Sequence, residues 1–220
     1  MDLRAQQYLR NSEILKKYLP SNTVPKIAEW VVEFNFKLKI TKERSTKLGD
    51  YTSPRNGMNH VITINHNLNC YAFLITLVHE IAHLKTYNEY LNKVAPHGHE
   101  WKSNFKILMA PFLTTDVFPL EIYSALRNYM FNPAASSCTD TRLYRVLKLH
   151  DKESDTVFID RIPFGTTFIY NTSRVFIKES KNRKLIKCKE ITTGKIYLFH
   201  PMAEVKLFES SKDTNSFQLV

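Results

Sequence analysis

Cysteine is scarce in this 220-residue chain: three residues at wide spacing, an odd number. That excludes the disulfide framework of a small secreted scaffold and fits a reducing compartment. No apolar run approaches membrane-spanning length, and the opening residues, Met-Asp-Leu-Arg-Ala-Gln-Gln, lack the apolar core of a signal peptide. The expectation is a cytoplasmic protein without a membrane partner, a monomer before any oligomer. Acidic residues are also few, 21 against 31 Lys and Arg, which leaves a formal charge of +10 and a pI near 9.4. Such a balance favours an anionic partner, nucleic acid first, although a merely solubilising surface gives the same number.

Glycine and proline are absent from Cys70 to Val78, a run that is almost wholly apolar and suits a helix buried on most sides. It leads into His79-Glu80-Ile81-Ala82-His83, the pattern H-E-x-x-H. Residues four apart share one helix face, so His79 and His83 can offer two imidazole nitrogens to one metal ion. Glu80 projects beside them, where it can take a proton from a water. Such groups are costly among apolar neighbours unless something binds them. A zinc site of this kind needs a third protein ligand. The longer pattern H-E-x-x-H-x-x-G-x-x-H is not completed: Thr86 stands where its glycine would be, and Leu84–Asn88 supplies no histidine. Downstream, Pro96-His97-Gly98-His99-Glu100-Trp101 offers His97 and His99, and Glu100 or Glu121 would serve in a site of two histidines and a glutamate.

The order H-E-x-x-H, then His97-Gly98 followed three residues on by Trp101, resembles the SprT-like family of zinc metalloproteases, which includes the Spartan proteases acting on DNA–protein crosslinks. The resemblance covers approximately residues 10–130. It implies that His97 is the third zinc ligand, Gly98 a close-packed turn residue and Trp101 the aromatic under the site. It also implies one zinc ion per chain, Glu80 as the catalytic base, protein substrates, and DNA as a further partner. In that family the outer strand of a sheet forms one wall of the cleft.

The pattern along the chain is α+β. Helices are expected over Leu3–Leu19, from Pro25 to about Phe34, Cys70 to about Tyr90, Glu100 to about Leu113 and Pro119–Met130. Strict alternation in Phe36–Ile40, a strand near Lys47–Tyr51 and another over His60–Asn65 predict a three-stranded antiparallel sheet ahead of the histidine helix. Together these make a zincin-like domain over residues 1–131. His60 and His66 read as ordinary polar residues, and Tyr123 and Tyr129 as packing.

Residues 132–141, with Asn132-Pro133-Ala134-Ala135-Ser136-Ser137, read as a linker. A small antiparallel β domain is expected over 142–209, with strands from Leu143–Leu149 to Ala203–Phe208, and a tail over 210–220. Many SprT-like proteins end instead in a zinc ribbon with C-x-x-C pairs. Here only Cys138 and Cys188 remain, and with His150 and His200 they have no zinc-finger spacing, so this module is expected to carry no metal. From Thr141 onward there are 15 Lys and Arg against 9 Asp and Glu. Alternation places Arg174, Phe176 and Lys178 on one strand face, and Lys187 and Lys189 on a face of another. Lysines beside an aromatic would suit single-stranded nucleic acid, and a solvated face with Phe176 in the core is the plainer alternative. The expected function is a zinc-dependent endopeptidase acting on DNA-associated or DNA-crosslinked proteins, in the cytoplasm or at the nucleoid. The alternative is a nucleic-acid-binding accessory protein with an idle or structural zinc site.

Overall fold

Asn69 starts the longest helix, α3, Cys70–Tyr90: its side chain accepts hydrogen bonds from the amides of Tyr71 (3.1 Å) and Ala72 (2.9 Å). In this computed structural model, which describes residues 2–44, 46–55, 57–134, 140–152 and 155–208, nearly every α3 side chain from Ala72 to Leu84 is buried. The helix therefore runs through the core rather than over it, as its unbroken apolar run predicts. It stops at Leu91, whose φ of 55° is strained for a residue with a branched side chain.

Around α3 stand α1 (Leu3–Leu15), α2 (Val24–Glu33), α4 (His99–Met109) and α5 (Leu120–Tyr129). Pro25 sits in the first turn of α2, where its missing N–H costs nothing. Helix α4 is shorter than the sequence suggests and continues as a 3₁₀ turn, Ala110–Phe112, containing Pro111.

Strands β1 (Phe36–Thr41), β2 (Gly49–Thr52) and β3 (His60–Asn65) form the sheet in the order β1-β3-β2. The all-antiparallel expectation is corrected here. Strand β3 pairs with β2 antiparallel but with β1 parallel. The reason lies in the β1–β2 connection, which crosses the end of β3. Arg44 donates to Asn65 Oδ1 (2.8 Å) and Thr63 Oγ1 (3.0 Å), and the Asn65 amide donates back to the carbonyls of Arg44 (3.2 Å) and Lys47 (3.0 Å). Pinned there, the chain descends on the far side of β3, and β2 becomes an outer strand.

A second correction concerns Leu143–Leu149. It is no strand but part of helix α6, Thr141–Lys148, with Asp140 accepting from the Leu143 amide (2.8 Å). Leucines at 143, 147 and 149 fit alternation, but Leu143 and Leu147 also fit a helix turn, and these two are buried while Leu149 is exposed. Helix α6 packs on α5. Its Leu147 carbonyl (2.9 Å) and the Asp151 carboxylate (2.6 Å) accept from the Asn69 side chain that caps α3.

The chain divides between Lys152 and Glu153 into two compact units, so α6 belongs with the first unit rather than with the expected domain from 142. Part of the expected linker, including Cys138, and the tail from Ser210 lie outside the described residues. The second unit is an antiparallel sheet in the order β4-β9-β5-β6-β7-β8. Its strands are β4 (Thr156–Phe158), β5 (Thr167–Tyr170), β6 (Arg174–Asn182), β7 (Leu185–Glu190), β8 (Ile196–Phe199) and β9 (Glu204–Leu207). Phe168 and Phe176 stack at 5.6 Å with Phe199 edge-on to both, and Ile186, Cys188 and Val205 complete the core. Among the described residues no helix is long and apolar enough to cross a membrane.

Candidate metal centre

His79 and His83 lie one turn apart on α3, and His97 enters from the loop just before α4. Their Nε2 atoms form a triangle: 3.2 Å between His79 and His83, 3.0 Å between His83 and His97, and 3.3 Å between His97 and His79. Nitrogens bound at 2.0–2.1 Å to a tetrahedral zinc ion lie about 3.3–3.4 Å apart, so the triangle has the size such an ion requires. This is the one histidine, cysteine and carboxylate cluster of that kind among the described residues. His99 is exposed at the start of α4, and the Glu121 carboxylate is 3.0 Å from His150 Nε2. Neither His99, Glu100 nor Glu121 belongs to the cluster.

Burial keeps the three imidazoles neutral, the form that binds a metal. It pushes the His79 pKa down to about 3, helped by His83 and His97, and that of His83 to about 4, helped by His97. His97 is lowered too, by burial and then by the Lys102 ammonium. Beneath them lies the fully buried Trp101, its ring centroid 4.6 Å from His79, 5.3 Å from His83 and 4.7 Å from His97. Phe105 stacks on the indole from behind at 5.1 Å. At Gly98, a Cβ would stand 3.1 Å from Glu100 Oε2 and 3.2 Å from the Ala95 carbonyl, which is tight for any larger residue.

Glu80 is 7% exposed. Burial first, and then the Asp50 carboxylate, push its pKa up to about 8, against the opposing pull of Lys47, Arg44 and a backbone hydrogen bond from Tyr51. Strand β2 presses on it closely. A Cβ on Gly49 would fall 2.7 Å from both Glu80 Oε1 and Thr76 Cγ2, so this position has no room for a side chain. Tyr51, also on β2, lies parallel to the His83 ring at 6.4 Å, and its hydroxyl is 2.9 Å from His60 Nδ1. Burial raises the Tyr51 pKa well above the ordinary phenol range and lowers that of His60. Gly49, Asp50 and Tyr51 were not singled out from the sequence. A glycine inside a predicted strand was the available signal, because it marks close backbone approach.

Histidines, Glu80 and β2 line an open cleft of about 620 Å³, with Leu91, Asn92 and Pro96 on its far side. Neutral donor nitrogens of metal-binding spacing, a carboxylate of raised proton affinity and room for a polymer thus converge in one place.

The basic face expected in the second unit is not assembled. Arg174, Phe176 and Lys178 do share a face of β6, but it is the inner one. Phe176 is 0% exposed and has no ring surface for a base. Lys178 is 4% exposed, donates to the Ile162 carbonyl at 2.6 Å and lies 4.7 Å from the Phe164 ring centroid. Arg174 donates to Glu190 Oε1 at 2.6 Å and stacks over Phe176 and Tyr197. Lys187 and Lys189 lie on the opposite face of the same sheet, Lys187 being 3.1 Å from the Glu179 carboxylate. Alternation tells which residues share a face, not which face is inward.

Comparison with family models, with curated proteins and with solved structures finds no match.

Proposed function

We propose that this chain is a zinc-dependent endopeptidase of SprT-like type with a zincin-like fold in its first unit, acting on DNA-associated or DNA-crosslinked proteins. The observation that carries the reading is the triangle of His79, His83 and His97 Nε2 atoms with Glu80 beside it in an open cleft. The three histidines would hold the ion. A zinc ion supplies Lewis acidity, which brings the pKa of water towards neutrality and polarises a carbonyl. Glu80 takes a proton from the attacking water on a carboxylate oxygen as the new carbon–oxygen bond forms. It returns that proton to the leaving amine nitrogen as the carbon–nitrogen bond breaks. Burial raises the proton affinity of Glu80 in the metal-free chain, and a cation held by the three histidines would draw it back towards neutrality, where a base both accepts and releases a proton. Trp101 and Phe105 fix the imidazole planes from below by packing. A purely structural zinc site held by three histidines has no need of Glu80, which favours the enzyme over the accessory-protein reading.

The DNA side of the proposal rests on the family resemblance and on the +10 charge, with Lys187 and Lys189 as the remaining candidate contacts. The test is cleavage of a DNA-bound protein, with and without DNA and chelator, by the wild type and by E80Q. E80Q should retain zinc while hydrolysis falls by at least ~10². Cleavage by E80Q at the wild-type rate defeats the mechanism. Stoichiometric zinc without any cleavage points to the accessory protein.

A further inference from the structure

The large cleft is not the only space that reaches Glu80. A second cavity, of about 160 Å³, shares Lys47, Gly49, His79 and Glu80 with it. Its remaining walls are Thr46, Leu48, Ile75, Thr76, Phe105 and Tyr129. None of these six carries a charge, and four are aliphatic or aromatic; the charged groups all lie on the side shared with the cleft. Gly49 stands at the junction, where even a Cβ would collide with Glu80 and Thr76.

We propose that this smaller cavity is a specificity pocket that takes one apolar side chain of the substrate polypeptide. The inference rests on the peptidase reading above and names what that site selects. A polypeptide in the cleft with its scissile bond beside His79 and Glu80 has one neighbouring side chain within reach of the shared walls. A cavity of about 150 Å³ lined by aliphatic and aromatic groups admits a benzene ring. Leucine, methionine and phenylalanine therefore fit, and a charged side chain reaching past Lys47 and Glu80 would be desolvated against Ile75 and Phe105. Thr76 sets the width, since it is the wall residue one helix turn before Glu80.

Cleavage of a peptide library by the wild-type zinc protein should show Leu, Met or Phe at one fixed position beside the broken bond, favoured over Asp by about tenfold or more. T76I should reduce turnover of the Phe peptide by about tenfold and shift preference to Ala or Ser. A second readout needs no turnover. N-acetyl-phenylalaninamide should bind the wild type saturably, shifting the methyl resonances of Ile75 and Thr76, and this alone decides the matter should T76I not fold. Cleavage without positional preference, or with one that T76I leaves in place, overturns the pocket while the peptidase stands. Saturable binding without any cleavage supports the pocket and removes the peptidase. Absence of both overturns both.

Discussion

The two units bury ionisable groups under opposite rules. In the sheet unit, Lys178 gives its ammonium to the Ile162 carbonyl, and Glu190 accepts from Arg174 and Thr193, which hold its pKa at about 2. In the helical unit, the Nε2 atoms of His79, His83 and His97 face one another. A buried polar group with a partner serves the architecture; several converging without one mark a place prepared for something else. Composition does not reveal the difference, since both regions read as charged residues among aromatics.

That contrast can be broken at its architectural end first. F176A should cost the protein ~3–5 kcal/mol of stability, because it empties the centre of the Phe168–Phe199 cluster, and should leave zinc content intact. Thermal melting with metal analysis on the same sample reads both. Loss of nucleic-acid binding without loss of stability would return Phe176 to the surface.

At the other end, H97A should weaken zinc binding by more than about tenfold, whereas H99A keeps nearly all of it, since only His97 joins the triangle. Competitive titration against a chelator of known affinity decides between them. Metal retained in H97A and lost in H99A would dissolve the centre described above.

A subtler test uses pH on the metal-free protein. His79 and His83 have folded pKa values of about 3 and 4 against 6.5. The stability they lend is complete above pH 6.5 and drains as pH falls from there towards 4. Glu80 works in reverse: at about 8 against 4.5, its contribution is complete below 4.5 and is lost as pH rises through 8. Melting temperature in chelator should therefore fall on both sides of a maximum at about pH 6.5, where the two histidine contributions balance that of Glu80, and E80Q should remove the alkaline fall. An unchanged alkaline arm in E80Q would mean that Glu80 is not desolvated as described.

The smallest effect concerns the outer face of the sheet unit. Replacing Lys187 and Lys189 together should flatten the log–log salt dependence of DNA binding by about 1–2 units without touching zinc. No change in slope would leave the sheet unit purely architectural.

Legibility in the sequence followed the physics of each pattern. The histidine helix was readable because the almost wholly apolar run Cys70–Val78 leads into two histidines at helical spacing. The parallel pairing of β1 and β3 was not, because it depends on Arg44 reaching Asn65 across a loop, and no local periodicity encodes that. Leu143–Leu149 was misread because leucines at both two- and four-residue spacing satisfy a strand and a helix alike. The inner face of β6 was misread because a lysine looks solvent-bound until a carbonyl is found for it. His97 entered through the family resemblance, and Gly49 emerged only when the strand was laid against Glu80.

The strand order β1-β3-β2 carries a consequence for how the protein is made. The middle strand is the last of the three to be synthesised, so β1 and β2 emerge with no neighbour to pair with. Only when His60–Asn65 appears can both dock, and α3 follows at once. The third imidazole arrives 14 residues after His83. A nascent chain that has exposed only as far as α3 therefore holds all three strands and two of its three histidines. Placing His97 beyond the strands and α3 thus brings the three imidazoles together only when the framework that bears them is already in place.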